Sequence, residues 1–344
     1  MRATPQVRVT RVELQQAIGR MQGRRILALA DLVADEFVHG RVERISREAP
    51  VLILAYKGAD LRPGGGANAV YNMRTLGGRP LPFGVVGDDD PGRRLRGLLR
   101  EAGVSVSHVL TEPDFPTPLK TRVLGGGTHS TEQQVVRLDR VIRLPPKSAA
   151  RQKLITALDD YRSRVDGVLV TDYGIGLITP RLVRTAVRLA RRRGVPVTVD
   201  SRYDLLSFRG MTAVTPNEPE VEAALGVRIG HDRRRLEAAG GELLERLGTR
   251  AVLVTRGSDG MSLFEAGKPP QHIRVHGTDQ VADVTGAGDT VIATFTLALA
   301  AGASPLAASL LANYAGGIVV MKRGTATVSV SELRRAVDED PGLS

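Results

Sequence analysis

Seven short apolar runs punctuate this chain, at 26–30, 81–86, 168–171, 195–200, 213–215, 251–255 and 261–264, and the stretches between them carry helical periodicity. Strands that are apolar along their whole length, alternate with helices and are flanked by short polar turns imply a mostly parallel sheet covered on both faces. Helices are expected from Thr10-Arg11-Val12-Glu13, which reads as a capping box, and over 67–76, 90–102, 148–158, 180–192, 219–225 and 236–247. After Gly286 the rhythm changes to a helix reaching about Ala301 and another over 305–320, with no strand between them.

Two regions break the pattern. Residues 41–60 and 118–139 carry Val51-Leu52-Ile53-Leu54, Lys120-Thr121-Arg122-Val123-Leu124 and Gln134-Val135-Val136-Arg137-Leu138 with no helix between neighbours. They predict a small accessory sheet; the alternative is an edge extension of the main sheet. At about 100–200 residues per domain, the chain is read as one large unit over 1–344 that carries this small sheet.

Charge raises a competing idea. The chain has 48 Lys and Arg against 37 Asp and Glu, a net +11, and only six of the basic residues are lysines. Such an excess invites a nucleic-acid reading, since phosphate neutralisation supplies most non-specific affinity for DNA or RNA. However, there is no Trp and there are only six Tyr and six Phe, so stacking platforms are scarce. The arginine runs at 191–193 and 233–235 fall on or beside expected amphipathic helices, where a charge run is ordinarily a solvated face. A basic nucleic-acid-binding protein is therefore the secondary reading, and no nucleic-acid partner is expected. The absence of cysteine removes disulfides, thiol catalysis and thiolate metal sites. The first 22 residues lack a signal-peptide pattern, and the most apolar stretch, 291–303, is shorter than the about 20 residues of a membrane span. A cytoplasmic protein with no membrane partner is the expectation.

The chemistry concentrates in Asp283-Val284-Thr285-Gly286-Ala287-Gly288-Asp289-Thr290, at the turn that opens an apolar helix. Gly286, Ala287 and Gly288 let backbone N–H groups converge at a helix N-terminus, where the dipole also favours an anion. Asp289, in the first turn beside this cradle, is placed to accept a proton from a hydroxyl attacking a phosphorus held there. The string lacks the third glycine of a dinucleotide fingerprint, and no Gly-x-x-x-x-Gly-Lys-Ser/Thr motif exists. A second cluster, Arg62-Pro63-Gly64-Gly65-Gly66-Ala67-Asn68, also enters a helix. Gly65 and Gly66 allow close backbone approach to a ligand, and Asn68 offers a donor and an acceptor suited to sugar hydroxyls; a tight capped loop is the alternative. Further polar residues gather at expected strand ends: Asp31 and Asp35, Asp172, Asp200, Asn217 and Glu220, and Thr255 to Gly257. Along one edge of a parallel sheet they read as a single crevice.

Over nearly its whole length the chain resembles the ribokinase-like, phosphofructokinase-B-type carbohydrate kinases. The glycine-Asn motif, Asn217-Glu218-Pro219-Glu220 and the 283–289 string occur in that family's order. Within the family it is most similar to the kinase domain of ADP-heptose synthesis enzymes, through Arg44-Ile45-Ser46-Arg47-Glu48-Ala49-Pro50, the 120–124 segment, Val136-Arg137-Leu138-Asp139, Asp172-Tyr173, Thr215-Pro216-Asn217 and Gly324-Thr325-Ala326-Thr327-Val328-Ser329. The resemblance implies a three-layer α/β sandwich with a mostly parallel central sheet and a small β-sheet lid. It implies phosphoryl transfer from ATP to O1 of D-glycero-D-manno-heptose 7-phosphate, with fructose, ribose or a nucleoside as alternative acceptors.

By the same resemblance, Asp289 is the base and the amides of Gly286, Ala287 and Gly288 form the anion hole. Asp31, Asp35, Gly65, Gly66 and Asn68 hold the sugar; Thr255, Gly257, Asn313 and Gly317 lie near the nucleotide; Asn217 and Glu220 organise Mg2+, largely through water. The implied cofactors are ATP and Mg2+, with a monovalent cation such as K+ as a further option, and the implied assembly is a homodimer through the lid. Two positions depart from the heptose kinases. Gly174-Ile175-Gly176 follows Asp172-Tyr173 where a small residue, Lys and Gly are usual, and Ser201-Arg202 follows Asp200 where Pro-Lys is usual. The nucleotidyltransferase half that often follows such a kinase is not expected before Ser344.

Overall fold

The computed structural model describes residues 9–127, 132–277 and 282–343. The order begins α1 (Arg11–Met21), β1 (Arg25–Ala30), β2 (Leu32–Ile45), β3 (Leu52–Gly65), α2 (Gly66–Thr75), β4 (Arg79–Gly87), α3 (Asp90–Glu101), β5 (His108–Glu112), β6 (Leu119–Gly126) and β7 (Gln133–Arg140). It continues α4 (Ala149–Asp159), β8 (Gly167–Asp172), α5 (Pro180–Arg193), β9 (Val197–Ser201), β10 (Ala213–Val214), α6 (Glu218–Leu225), α7 (Arg233–Leu247), β11 (Ala251–Thr255), β12 (Met261–Glu265), β13 (Gln271–Ile273), α8 (Ala287–Ala300), α9 (Pro305–Val320) and α10 (Val330–Asp338).

The main sheet runs β13-β12-β11-β10-β9-β8-β1-β4-β5. It is parallel from β11 to β5, and β12 and β13 are antiparallel additions. Strand side chains alternate between faces, and β1 shows the result. Ile26, Ala28 and Ala30 enter one core with α1, α2, α8, α9 and α10, whereas Leu27 and Leu29 enter another with α4, α5 and α7. Burial on both sides explains why the strands read as unbroken apolar runs.

The accessory region is a separate four-stranded sheet, ordered β3-β2-β6-β7, and not an extension of the main one. Its central pair, β2 and β6, is parallel, and the outer pairs are antiparallel. It is also longer than 41–60 and 118–139: β2 starts at Leu32, with only Asp31 between it and the end of β1, and β3 runs on to Gly65. Asp31, Leu32, Val33 and Ala34 are all buried, so burial continues from one sheet to the other, with Asp31 the one polar residue at the crossing. Residues 128–131, inside the second expected segment, lie outside the described residues.

The capping box at Thr10 forms, with Thr10 and Glu13 bonding each other's backbone amides. Three elements went unanticipated. β5 and β13 are short edge strands that bury few apolar side chains. The third, α10, carries a legible start signal, since Ser329 and Glu332 form a capping box.

Candidate active site

The carboxyl ends of β1, β8, β9 and β11 and the N-termini of α2, α6 and α8 meet at one edge of the main sheet. A cavity of about 190 Å³ opens there, lined by Tyr173, Asp200, Asn217, Glu220, Thr255 and Gly288 among others. The glycine string and the strand-end acids, far apart in sequence, thus border one space.

Asp289 sits in the first turn of α8 and is 3% exposed. Its Oδ2 accepts from Asn68 Nδ2 at 3.1 Å and its Oδ1 from the Tyr173 hydroxyl at 2.6 Å. Burial pushes its carboxyl up to about 7, against the pull of these two hydrogen bonds. A carboxyl poised there changes protonation near neutral pH, as a general base requires. Gly286 has φ +79° and forms the N-cap; a Cβ there would come within 2.4 Å of Asn68 Nδ2, so only glycine lets Asn68 reach Asp289. No side chain caps α8. The Ala287 amide donates to the Val284 carbonyl at 3.2 Å, while Gly288 has open space on its Cβ side and lines the cavity.

Asp31 and Asp35 flank the passage between the two sheets, and both are buried. Asp31 Oδ2 accepts from the amides of Tyr173 (2.8 Å) and Ile175 (3.3 Å), and its Oδ1 is buried without a hydrogen-bond partner. Burial, with the nearby charge of Asp172, pushes the Asp31 carboxyl up to about 8. Asp35 Oδ2 accepts from Thr325 Oγ1 at 2.9 Å, and its Oδ1 lies 3.0 Å from Arg122. Gly64 makes room for it, because a Cβ there would meet the Asp35 carboxyl carbon at 2.6 Å. Gly65 turns the chain into α2 with φ +51°, and a Cβ on Gly66 would lie 2.8 Å from the Asp31 carbonyl. An orphaned buried carboxyl oxygen beside close-approach glycines is a place for a polyhydroxy ligand to hydrogen-bond.

On the other side of the cavity, Asn217 caps α6 and forms a capping box with Glu220: Asn217 Oδ1 accepts from the Glu220 amide at 2.8 Å and Glu220 Oε2 from the Asn217 amide at 2.9 Å. Burial pushes Glu220 up, and burial together with the charges of Glu220 and Asp289 pushes Asp200 well up. Among the described residues, no group of three or more His, Cys, Asp or Glu forms a metal cage. Thr255 lines the cavity, and Gly257 turns the chain after β11 with φ +54°. Asn313 and Gly317 on α9 stand apart from that lining. Asn313 Nδ2 donates to the Arg274 carbonyl at 2.8 Å, and a Cβ on Gly317 would lie 2.1 Å from the His276 carbonyl oxygen.

Apart from the Asp172-Tyr173 family string, nothing local marks Tyr173 as a partner of an aspartate 116 residues away. The positive charge of the site was also hidden. Ile175, where a lysine is usual in the heptose kinases, is a buried core residue. Lys120 instead reaches in from β6, with Nζ 5.1 Å from the Tyr173 ring centroid. Burial pushes its ammonium down; Asp35 opposes this, and Arg137 and Arg202 nearby reinforce it.

A crevice at the carboxyl edge of a parallel sheet, with a near-neutral buried aspartate at an uncapped helix N-terminus and a second sheet over it, defines a phosphoryl-transfer class of site. Residues 38–332 match the pfkB family carbohydrate kinases. The chain is 41% identical over 308 residues to the bifunctional protein HldE of Geobacter metallireducens, covering 89% of this chain and 61% of that protein. It is 36% identical over 328 residues to the same-named protein of Pelobacter propionicus, covering 95% and 66%. It therefore spans under two thirds of the length of these relatives. The fold is shared with Arabidopsis thaliana ribokinase, solved with ribose and ATP (TM-score 0.69, 20% identity, 93% of this chain and 100% of that one). It is shared equally with Escherichia coli phosphofructokinase-2, solved with potassium (TM-score 0.72, 18% identity, 92% and 98%). The chain belongs to the pfkB family of carbohydrate kinases. Membership makes it an enzyme of the ATP-dependent carbohydrate kinase class.

Proposed function

We propose that this chain transfers the γ-phosphoryl of ATP to a sugar-phosphate hydroxyl, O1 of D-glycero-D-manno-heptose 7-phosphate, with Asp289 as the base. The observation that carries the reading is Asp289 itself, buried at the uncapped N-terminus of α8 with its carboxyl raised to about 7. Asp289 takes the acceptor's hydroxyl proton as the new O–P bond forms and the bond to the ADP oxygen breaks. The amides of Gly286 and Gly288 receive the charge on the transferring group, the Ala287 amide being engaged by the Val284 carbonyl. Asp31, Asp35 and Asn68 orient the sugar, and Thr255 and Gly257 are assigned to the nucleotide; Asn313 and Gly317 are assigned there by the family resemblance alone, since they stand apart from the cavity lining.

The finer choice of acceptor is supported by the 36–41% identity to the HldE proteins and by the cations Lys120, Arg137 and Arg202 around the acceptor side, which suit a substrate that already carries a phosphate. Asp200 and Glu220, two half-buried carboxyls of which Glu220 pushes Asp200 up, suit a divalent cation between them. Mg2+ there, held largely through water by Asn217 and Glu220, would neutralise phosphate charge. A monovalent cation such as K+ is a second candidate, which the potassium complex of phosphofructokinase-2 motivates. The assembly we propose is a homodimer through the second sheet, where Ile45, Tyr56 and Leu138 are 60–71% exposed.

An ADP-release screen over sugars and sugar phosphates tests the reading. Heptose 7-phosphate is expected to give the highest kcat/KM, and preference for an unphosphorylated sugar overturns the phosphate assignment. For the assembly, sedimentation should give a dimer that Leu138→Glu converts to monomer; a monomeric wild type refutes it.

A further inference from the structure

We propose that the Tyr173 hydroxyl is a resident stand-in for the acceptor hydroxyl, keeping the Asp289 carboxylate engaged and closed to water until the sugar displaces it. This rests on Asp289 being the base. Asp289 has one donor on each oxygen, and the two donors are held differently. Asn68 is fixed: its Nδ2 also reaches the Gly286 carbonyl at 3.3 Å, and its Oδ1 accepts from Asn72 Nδ2 at 3.0 Å. The Tyr173 hydroxyl has Asp289 as its one hydrogen-bond partner among the described residues. Around its ring lie Lys120, with Nζ 5.1 Å from the centroid, and Gly65, where a Cβ would come within 3.3 Å of Cε2. The backbone around it is pinned, with the Tyr173 and Ile175 amides donating to Asp31 and the Gly174 amide to Asp172 Oδ1 at 2.9 Å, so displacement is a swing of the side chain alone.

The geometry matches the role. A base must accept the attacking O–H at about 2.6–3.2 Å, and the phenol occupies Oδ1 at 2.6 Å. Burial, reinforced by the charge of Asp289, pushes the phenol well above its ordinary range, so it stays protonated and serves as donor. A permanent clamp on Oδ1 would leave the acceptor to share that oxygen. A displaceable one makes sugar entry the event that frees the base. Without a sugar, water would otherwise occupy the same place. Its proton would pass to Asp289 as its oxygen attacks the γ-phosphorus, yielding ADP and inorganic phosphate.

The test uses the whole chain with MgATP and no sugar. Tyr173→Phe is expected to raise sugar-independent ATP hydrolysis several-fold over wild type, and Tyr173→Phe/Asp289→Asn to return it to the wild-type level or below. The acid limb of that hydrolysis should also move up by about one pH unit, since the lost hydrogen bond favoured the carboxylate. Hydrolysis and limb both unchanged in a folded Tyr173→Phe overturn the proposal, while Asp289→Asn retaining sugar-dependent transfer overturns the base assignment instead. A second readout needs no variant that folds poorly. The chain has no Trp, so its near-ultraviolet emission is tyrosine's. Titrating wild type with heptose 7-phosphate should raise that emission as the quenching carboxylate contact breaks. Saturable binding with unchanged emission refutes displacement.

Discussion

The two edges of the main sheet carry opposite chemistry. At the carboxyl edge, helix N-termini meet acids: Asp289 in the first turn of α8, Glu220 in that of α6, and Asp31, Asp172 and Asp200 at strand ends. At the other edge, helix C-termini meet arginines. Arg20 Nε donates to the Ala301 carbonyl at the end of α8, and Arg24 Nε to the Arg20 carbonyl near the end of α1. Arg24 and Arg164 both pair with Asp166, and Arg25 and Arg79 are register neighbours on β1 and β4. The larger cavity, about 600 Å³, is at this arginine edge, yet the groups that can move a proton or hold a phosphate at a helix N-terminus are at the other. Cavity size is therefore a poor guide here. Arg20 and Arg24 at that edge answer the partial negative charge of helix C-termini, and Arg24 and Arg164 neutralise Asp166.

The largest effect that would break this contrast is on rate. Asp289→Asn should lower kcat for sugar-dependent ADP release by about 10²–10⁴-fold, whereas Arg79→Gln at the opposite edge should stay within about two-fold. Comparable losses would erase the functional distinction. Next come two glycines. Gly66→Ala places a Cβ 2.5 Å from Thr171 Oγ1 and 2.8 Å from the Asp31 carbonyl, and is expected to cost about 1–3 kcal/mol in denaturant unfolding. Gly288→Ala meets nothing within 4 Å, so it should fold normally and raise KM for ATP instead. In a pH profile, kcat/KM should rise through about pH 7 as Asp289 loses its proton; a limb near pH 4 would contradict its buried environment.

The last effect is in the pH dependence of stability, where the edges should differ in sign. Asp31 titrates at about 8 in the fold against 3.8 unfolded, so it favours the fold fully below about pH 4, and that contribution is lost as pH rises towards 8. Asp31→Asn should flatten this slope in thermal unfolding. Burial raises Asp166, but the Arg25 amide and the guanidinium groups of Arg164 and Arg24 outweigh it and hold the carboxyl low. Its contribution is present above its unfolded pKa and lost as pH falls below 3.8 through the folded value, so Asp166→Asn should remove stability at neutral pH and weaken the acid-side slope alone.

Much of the fold was legible because burial on both faces writes parallel strands as uniform apolar runs, and caps mark the helices between them. The departures have physical causes. β5 and β13 lie at sheet edges and bury little, so no apolar run marks them. The start of β2 is invisible because Leu32 to Ala34 continue the burial of β1 while changing sheets. In the site, the glycine string and Asn217 with Glu220 could be read locally, since each acts within one turn of its own helix.

The sequence alone determined the α/β class, the helix that opens at Gly286 and the acid that follows it, because these depend on periodicity, backbone freedom and neighbours a few residues apart. Only the tertiary structure decided which groups meet. It brought Asn68 and Tyr173 onto the two oxygens of Asp289, set Lys120 over the Tyr173 ring and buried Ile175 in the core. Those contacts join residues more than 50 positions apart, and the poise of the buried carboxyl arises from surroundings that no local pattern encodes.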